Sequence, residues 1–367
     1  MEQRVAIVPS LITIDGTSDD LICASTSSQI NVDRMVVGMV DKTCFLHIGC
    51  EKTGTSSIQA FLMKNRPLLQ SLGYCYPTTA GGESHRFISA AFIKDPRRTG
   101  YARDLDIDEF FASFRSEINE SQEDKIILSS EHLHSSLQRD DEGIELRTFL
   151  ESCGFTKFGI IVYLRRQDEL LIAAYSQMVK NNRTERFNFL QKMRYADYAE
   201  ILRLWSSVFG ASNITVKIFE DKKMLCGDVR HDFLSVLGIT DTSEFIWTER
   251  LNPSLGPEAL EFKRLFNTYF DSSTQIPRHA FLNAYLSEYQ SNARRQVIDF
   301  ETRLQILEIY RLSNEYVARE FLGGSVDELF TPPIRDDYEG KVMTELDTEK
   351  AIEICAHIWR SLSGVKV

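Results

Sequence analysis

At 367 residues, 43% hydrophobic and 26% charged, the chain has the composition of a globular protein of one large domain or two ordinary ones. Its net charge of −11 weighs against nucleic acid and long polyanions as main partners, and no apolar run is long enough to span a bilayer. The seven cysteines lack paired metal spacing, so Cys44, Cys50 and Cys75 read as small buried hydrophobes in a reduced, cytoplasmic setting.

Residues 1–40 alternate short apolar pieces with polar and Ser/Thr-rich stretches and are expected to be an accessory extension without chemistry. They show neither the basic flank nor the cleavage site of a secretion signal, and Met35 or Met39 could begin the domain proper. Thr43 to Ile48 then read as a buried strand. Gly49 and Gly54 bracket a loop in which Lys52, Thr53, Thr55, Ser56 and Ser57 crowd together, and Ile58, Phe61 and Leu62 continue at helical spacing. A strand, a glycine loop and a helix N-terminus make an anion site, because first-turn N–H groups and the helix dipole both favour negative charge.

Gly73–Pro77 suggests a short strand, and Ser84 a cap for a helix carrying Phe87, Ile88, Ala91 and Phe92. Asp95–Arg103 reads as a polar loop and Asp108–Ile118 as an amphipathic helix. Lys125–Ser130 is a second buried strand, running into Glu131, His132 and His134. Gly143–Cys153 is a helix, Phe158–Leu164 a third buried strand, and a helix through Lys180 follows Arg165 and Arg166. A helix over Tyr195–Phe209, a strand over Ile214–Phe219 and a helix over Lys222–Leu237 complete an alternation that predicts a parallel sheet flanked by helices. The remainder reads as helical over Glu258–Tyr269, Ala280–Tyr289, Glu301–Phe321 and Glu349–Leu362, packed on the sheet. Such sheets bind ligands beyond the carboxyl ends of their strands, where the glycine loop, Glu131 and Arg165 fall.

The loop is not a nucleoside triphosphate loop of the form GxxxxGK[ST]: Thr55 stands where the lysine belongs, and the lysine precedes the glycine as Lys52. From His47 to Gln59 the stretch instead resembles the 5′-phosphosulfate loop of bacterial sulfotransferase-like proteins, commonly HIGxxKTGTTSxQ, with Ser56 in place of a threonine. The segment from Tyr163 to Lys180 resembles the element that grips the 3′-phosphate in the same proteins. There an arginine ends the strand and a serine follows eight residues later; here Arg165 is followed by Ala173, with Ser176 one turn on as a substitute. Asn252–Pro257 resembles a turn found after the sheet in these families and is read as structural.

The resemblance implies a P-loop-type fold and transfer of a sulfonate from 3′-phosphoadenosine-5′-phosphosulfate (PAPS) to a hydroxyl, on a glycan or lipid in the bacterial relatives, with no metal. It implies a donor site of Lys52, Thr53, Gly54, Thr55, Ser56, Ser57, Arg165 and Ser176. An acceptor hydroxyl loses a proton on attack, and Glu131, then His132, then His85 are the candidate bases. Beside each, the plain alternative is a side chain satisfied by a backbone hydrogen bond at a strand end. His47, flanked by apolar neighbours, reads as a core histidine. Two other readings remain: a phosphotransferase, which needs a magnesium-holding aspartate for which Asp168 is nearest, and a degenerate nucleotide-binding module, which Ala173 keeps open.

Overall fold

The structure is a computed structural model describing residues 41–189, 193–247, 255–269, 276–289, 296–324, 329–333, 335, 342–343 and 345–363. The expected accessory segment 1–40 and residues 252–254 of the expected turn lie outside the described residues. The first half runs β1 (Lys42–Gly49), α1 (Thr55–Lys64), α2 (Arg66–Ser71), β2 (Tyr74–Cys75), α3 (Arg86–Ala90), α4 (Ile107–Glu120), β3 (Lys125–Ser129), α5 (His132–Ser136) and α6 (Asp140–Ser152). Then come β4 (Phe155–Leu164), α7 (Gln167–Lys180), α8 (Tyr198–Phe209), β5 (Ile214–Ile218) and α9 (Val229–Val236). The helical end comprises α10 (Pro257–Asn267), α11 (Ile276–Glu288), α12 (Phe300–Ile309), α13 (Arg311–Val317) and α14 (Thr348–Ser363).

The described strands form one all-parallel sheet in the order β2-β3-β1-β4-β5. The chain is an α/β protein with a helical C-terminal part. Parallel strands need helical crossovers, which cover both faces, so strand residues of either parity are apolar. Cys44, Leu46, Ile48, Ile126, Leu128, Ile160 and Val162 enter one core with residues of α4, α6, α7 and α8. Ile127, Ile161 and Tyr163 point the other way, against Ile58, Phe61 and Leu62 of α1 and Phe233 and Leu234 of α9. No helix among the described residues is long and apolar enough to cross a membrane. Since β1 lies between β3 and β4, the chain leaves it in opposite directions for its two neighbours, and the crevice at that reversal opens beyond its carboxyl end.

Several boundaries depart from the sequence reading. The strand expected over Gly73–Pro77 shrinks to Tyr74–Cys75, an edge strand paired with β3 alone. α3 starts after His85 rather than being capped by Ser84, because the His85 ring is buried and bonded into the strand layer. α4 begins earlier than Asp108, where the Asp106 carboxylate accepts from the Glu109 amide at 3.1 Å. α9 begins only at Val229, after the Asp228 side chain accepts from the Arg230 amide. The single helix expected over Glu301–Phe321 breaks at Tyr310, whose hydroxyl accepts from the Met193 amide at 2.8 Å.

Among the described residues three histidines are buried: His47, His85 and His134. Burial disfavours the imidazolium and lowers each to a pKa of about 3. In the unfolded chain they titrate near 6.5, so between those values the unfolded state binds more protons and stability rises with pH. The unfolding free energy from urea titration is therefore expected to fall as pH drops from 7 to 5, with a slope that approaches about 1.4 kcal/mol per pH unit below pH ~6.5 for each histidine still neutral in the fold, and the midpoint falls with it. A midpoint independent of pH over that range would contradict this account, and His134→Phe should flatten the dependence.

Candidate functional site

The loop after β1 is shaped by two close approaches. At Gly49 (φ +111°) a β-carbon would sit 3.1 Å from the Glu131 Cα, so the end of β1 and the turn after β3 touch backbone to backbone. At Gly54 (φ +77°) a β-carbon would sit 2.9 Å from Val229 Cγ1 and 3.2 Å from the Phe219 ring. Only glycine combines this left-handed backbone with that lack of space.

Gly54 is the N-cap of α1, a helix of 10 residues. Its carbonyl accepts from the amides of Ser57 and Ile58 at 2.9 and 3.0 Å. Among the described residues, no protein acceptor meets the amides of Gly54, Thr55 and Ser56. These N–H groups, at the positive end of the helix dipole, suit an anion. The threonines differ from the expectation. Thr53 and Thr55 both donate their hydroxyls to the Cys50 carbonyl, at 2.6 and 3.1 Å, and so fasten the loop to itself. Thr53 is fully buried and absent from the cavity wall, whereas Gly54, Thr55, Ser56 and Ser57 line it.

The cavity over this loop measures about 740 Å³. Four cations stand in its wall: Lys52, Arg165, Lys180 and Arg230. Lys52 is held by its Nζ donating to Gln177 Oε1 at 3.0 Å. Burial lowers its pKa, while Glu51 and Glu131 pull the other way. Arg165 donates to the Lys52 carbonyl at 3.0 Å, bonds Glu169 at 3.3 Å and lies over the Phe219 ring. It therefore braces the loop as well as facing the cavity. Its neighbour Arg166 is committed elsewhere, to Asp168 at 2.7 and 3.0 Å and to the Thr331 carbonyl.

One face of α7 forms a wall with Ala173, Ser176, Gln177 and Lys180. Ser176 is thus in the cavity, beside Ala173. Gln177 and Lys180 escaped the sequence reading although their spacing of four and seven from Ala173 marks the same helix face. The segment Gly227–Arg230 also lines the cavity, with Arg230 bonded to Asp228 at 2.6 and 3.0 Å. Nothing in the local sequence ties that segment to the loop at Gly54.

Glu131 and His132 both line the cavity. Strand geometry continued past Ser130 would send the two to opposite faces, but β3 ends at Ser129 and α5 starts at His132. Successive helical side chains diverge by about 100° rather than 180°, so neighbours share one opening. Glu131 Oε2 accepts from Gln59 Nε2 at 2.9 Å.

His85 does not serve as a base. It is absent from the cavity wall, its Nδ1 accepts from the Ser129 amide at 3.1 Å, and its Nε2 donates to the Pro77 carbonyl at 3.0 Å. Both ring nitrogens are used, which fixes one neutral tautomer. Asp168 is likewise unavailable: it is fully buried, and its carboxylate pairs with Arg166 and with Arg303 of α12. His47 packs edge-on to Tyr163 and Phe233 in the core.

No protein-family model matches the chain, and no solved structure matches it. Among curated proteins, an uncharacterized protein of the archaeon Archaeoglobus fulgidus is similar, 35% identical over 170 residues, which is 45% of this chain and 46% of the archaeal one. The chain thus spans about half the length of that relative.

Proposed function

We propose that the protein is a PAPS-dependent sulfotransferase acting on an acceptor hydroxyl, on a glycan or lipid. The observation that carries this reading is the meeting, in one cavity, of the unpartnered amides of Gly54, Thr55 and Ser56 with Lys52 and Arg165. That donor set fits a ligand with two separated anionic groups. Lys52 and the loop amides would hold the phosphosulfate end, and Arg165 with Ser176 the 3′-phosphate. When bound, PAPS supplies the sulfonate and a phosphate leaving group. Lys52 and the amides neutralise charge on its oxygens without reorganising, as electrostatic catalysis requires. Glu131, or His132 beside it, takes the proton of the acceptor hydroxyl.

Calorimetry with adenosine 3′,5′-bisphosphate and with ATP tests the donor site. Preference for the bisphosphate supports the reading. Preference for ATP with magnesium turns it towards phosphoryl transfer, with Asp221 and Asp228 as the aspartates of the cavity wall. Transfer of radiolabelled sulfonate to a panel of glycan and lipid hydroxyls then separates an active enzyme from a binding module.

Arg165→Ala is expected to weaken the bisphosphate about tenfold, the scale of one lost charge-assisted hydrogen bond. Adenosine 5′-phosphate should lose much less, and what it does lose reports the bond from Arg165 to the loop carbonyl. Equal losses for both nucleotides would remove Arg165 from the 3′-phosphate. If the serine missing at position 173 is a deficit, Ala173→Ser should tighten the bisphosphate.

A further inference from the structure

The motif from His47 to Gln59 has two end residues that anion binding leaves without a task. The structure joins them. Gln59 is only 2% exposed, on the inner side of α1. Its amide nitrogen approaches Glu131 Oε2 at 2.9 Å, the Ser129 carbonyl at 3.2 Å and Ser129 Oγ at 3.3 Å. Ser129 Oγ in turn lies 2.8 Å from His47 Nδ1. His47, Ser129, Gln59 and Glu131 thus form a polar line running from the core to the cavity wall.

An amide nitrogen only donates, so Gln59 is the donor to Ser129 Oγ, to the Ser129 carbonyl and to Glu131 Oε2. Ser129 Oγ is held from its other side by the buried, neutral His47 ring, which fixes where the Gln59 amide sits. That donor closes on a single carboxylate oxygen of Glu131. With Oε2 held inward, Oε1 is the oxygen left for the cavity. A carboxylate on a short turn has several rotamers of similar energy, and fixing one of them by a buried donor is what preorganises a base.

We propose that Gln59, aligned by Ser129 and His47, is a positioning residue that holds Glu131 as the proton acceptor of the reaction. The inference rests on the sulfotransferase reading for its activity arm and on geometry alone for its structural arm.

Gln59→Met keeps the length of the side chain and removes the donor. In the wild-type background kcat is expected to fall about tenfold, with the affinity for adenosine 3′,5′-bisphosphate unchanged. In the Glu131→Gln background the same substitution should cost nothing further, since the group it positions no longer accepts a proton. Equal falls in the two backgrounds, or no fall in either, would overturn the proposal. Should Gln59→Met not fold, Ser129→Ala keeps the carbonyl acceptor and removes the link to His47, and a two- to threefold fall confined to the Glu131 background is expected. Crystals of Gln59→Met give a reading free of activity: Glu131 should occupy more than one rotamer, and a single unchanged rotamer would refute the positioning role. A wild-type protein that transfers no sulfonate to any acceptor would defeat the functional reading, and the crystals would then decide the positioning by themselves.

Discussion

Lys52→Ala is expected to reduce sulfonate transfer by a factor of about 10² to 10³, the usual cost of removing one preorganised charge-stabilising donor. Affinity for adenosine 3′,5′-bisphosphate should change far less, because that product lacks the sulfonate. The substitution is a clean probe of charge. Lys52 sits at φ +62°, and alanine carries the same β-carbon as lysine, so the backbone strain is similar in both. Gln177 loses its partner at 3.0 Å but lines an open cavity, where water replaces it. The thermal midpoint should therefore hold while turnover collapses. Near-normal turnover in this variant would remove the loop from the chemistry.

The second large effect concerns the base. Glu131→Gln keeps the size and the hydrogen-bonding reach of the side chain and removes its capacity to take a proton. A loss of about a hundredfold or more in kcat is expected, at unchanged nucleotide affinity. His132→Asn should be mild. Both residues face the same cavity, so the two variants compare chemistry rather than access. If His132→Asn is the damaging change, the role passes to the histidine. If both are mild, neither is the base, and with His85 locked by two backbone partners none of the three candidates remains.

The central strands β1, β3 and β4 were readable because each carries apolar residues on both faces, as a sheet covered on two sides requires. The loop was readable because its chemistry is consecutive: lysine, glycine and hydroxyls fall within a few positions of a strand end. What the sequence withheld was arrangement. Thr53 has the composition of a ligand, yet its hydroxyl is spent on the Cys50 carbonyl. His85 has the composition of a base, yet its ring is an internal tie. Arg230 reaches the cavity from an element far along the chain, and no local periodicity announces a contact made by folding. That Glu131 and His132 share one opening depends on a helix starting at His132, which the apolar run of β3 does not announce.

The pair of Asp168 and Arg303 has a bearing on how the molecule is made. Arg303 lies 135 residues beyond the aspartate it neutralises. At ordinary rates of synthesis of about 5 to 20 residues per second, roughly 7 to 27 s pass between the emergence of the two. Once β5 has emerged, well before Arg303, the described sheet strands are all available to pair. Asp168, however, has only Arg166 to offset the cost of leaving water, and burying a carboxylate with too little compensation is unfavourable. The amino end of α7 should thus stay loosely seated until α12 arrives. Since α7 also carries Ser176, Gln177 and Lys180, a nascent chain acquires its sheet well before it acquires a finished cavity wall, and the nucleotide binding proposed for that cavity would come late in translation.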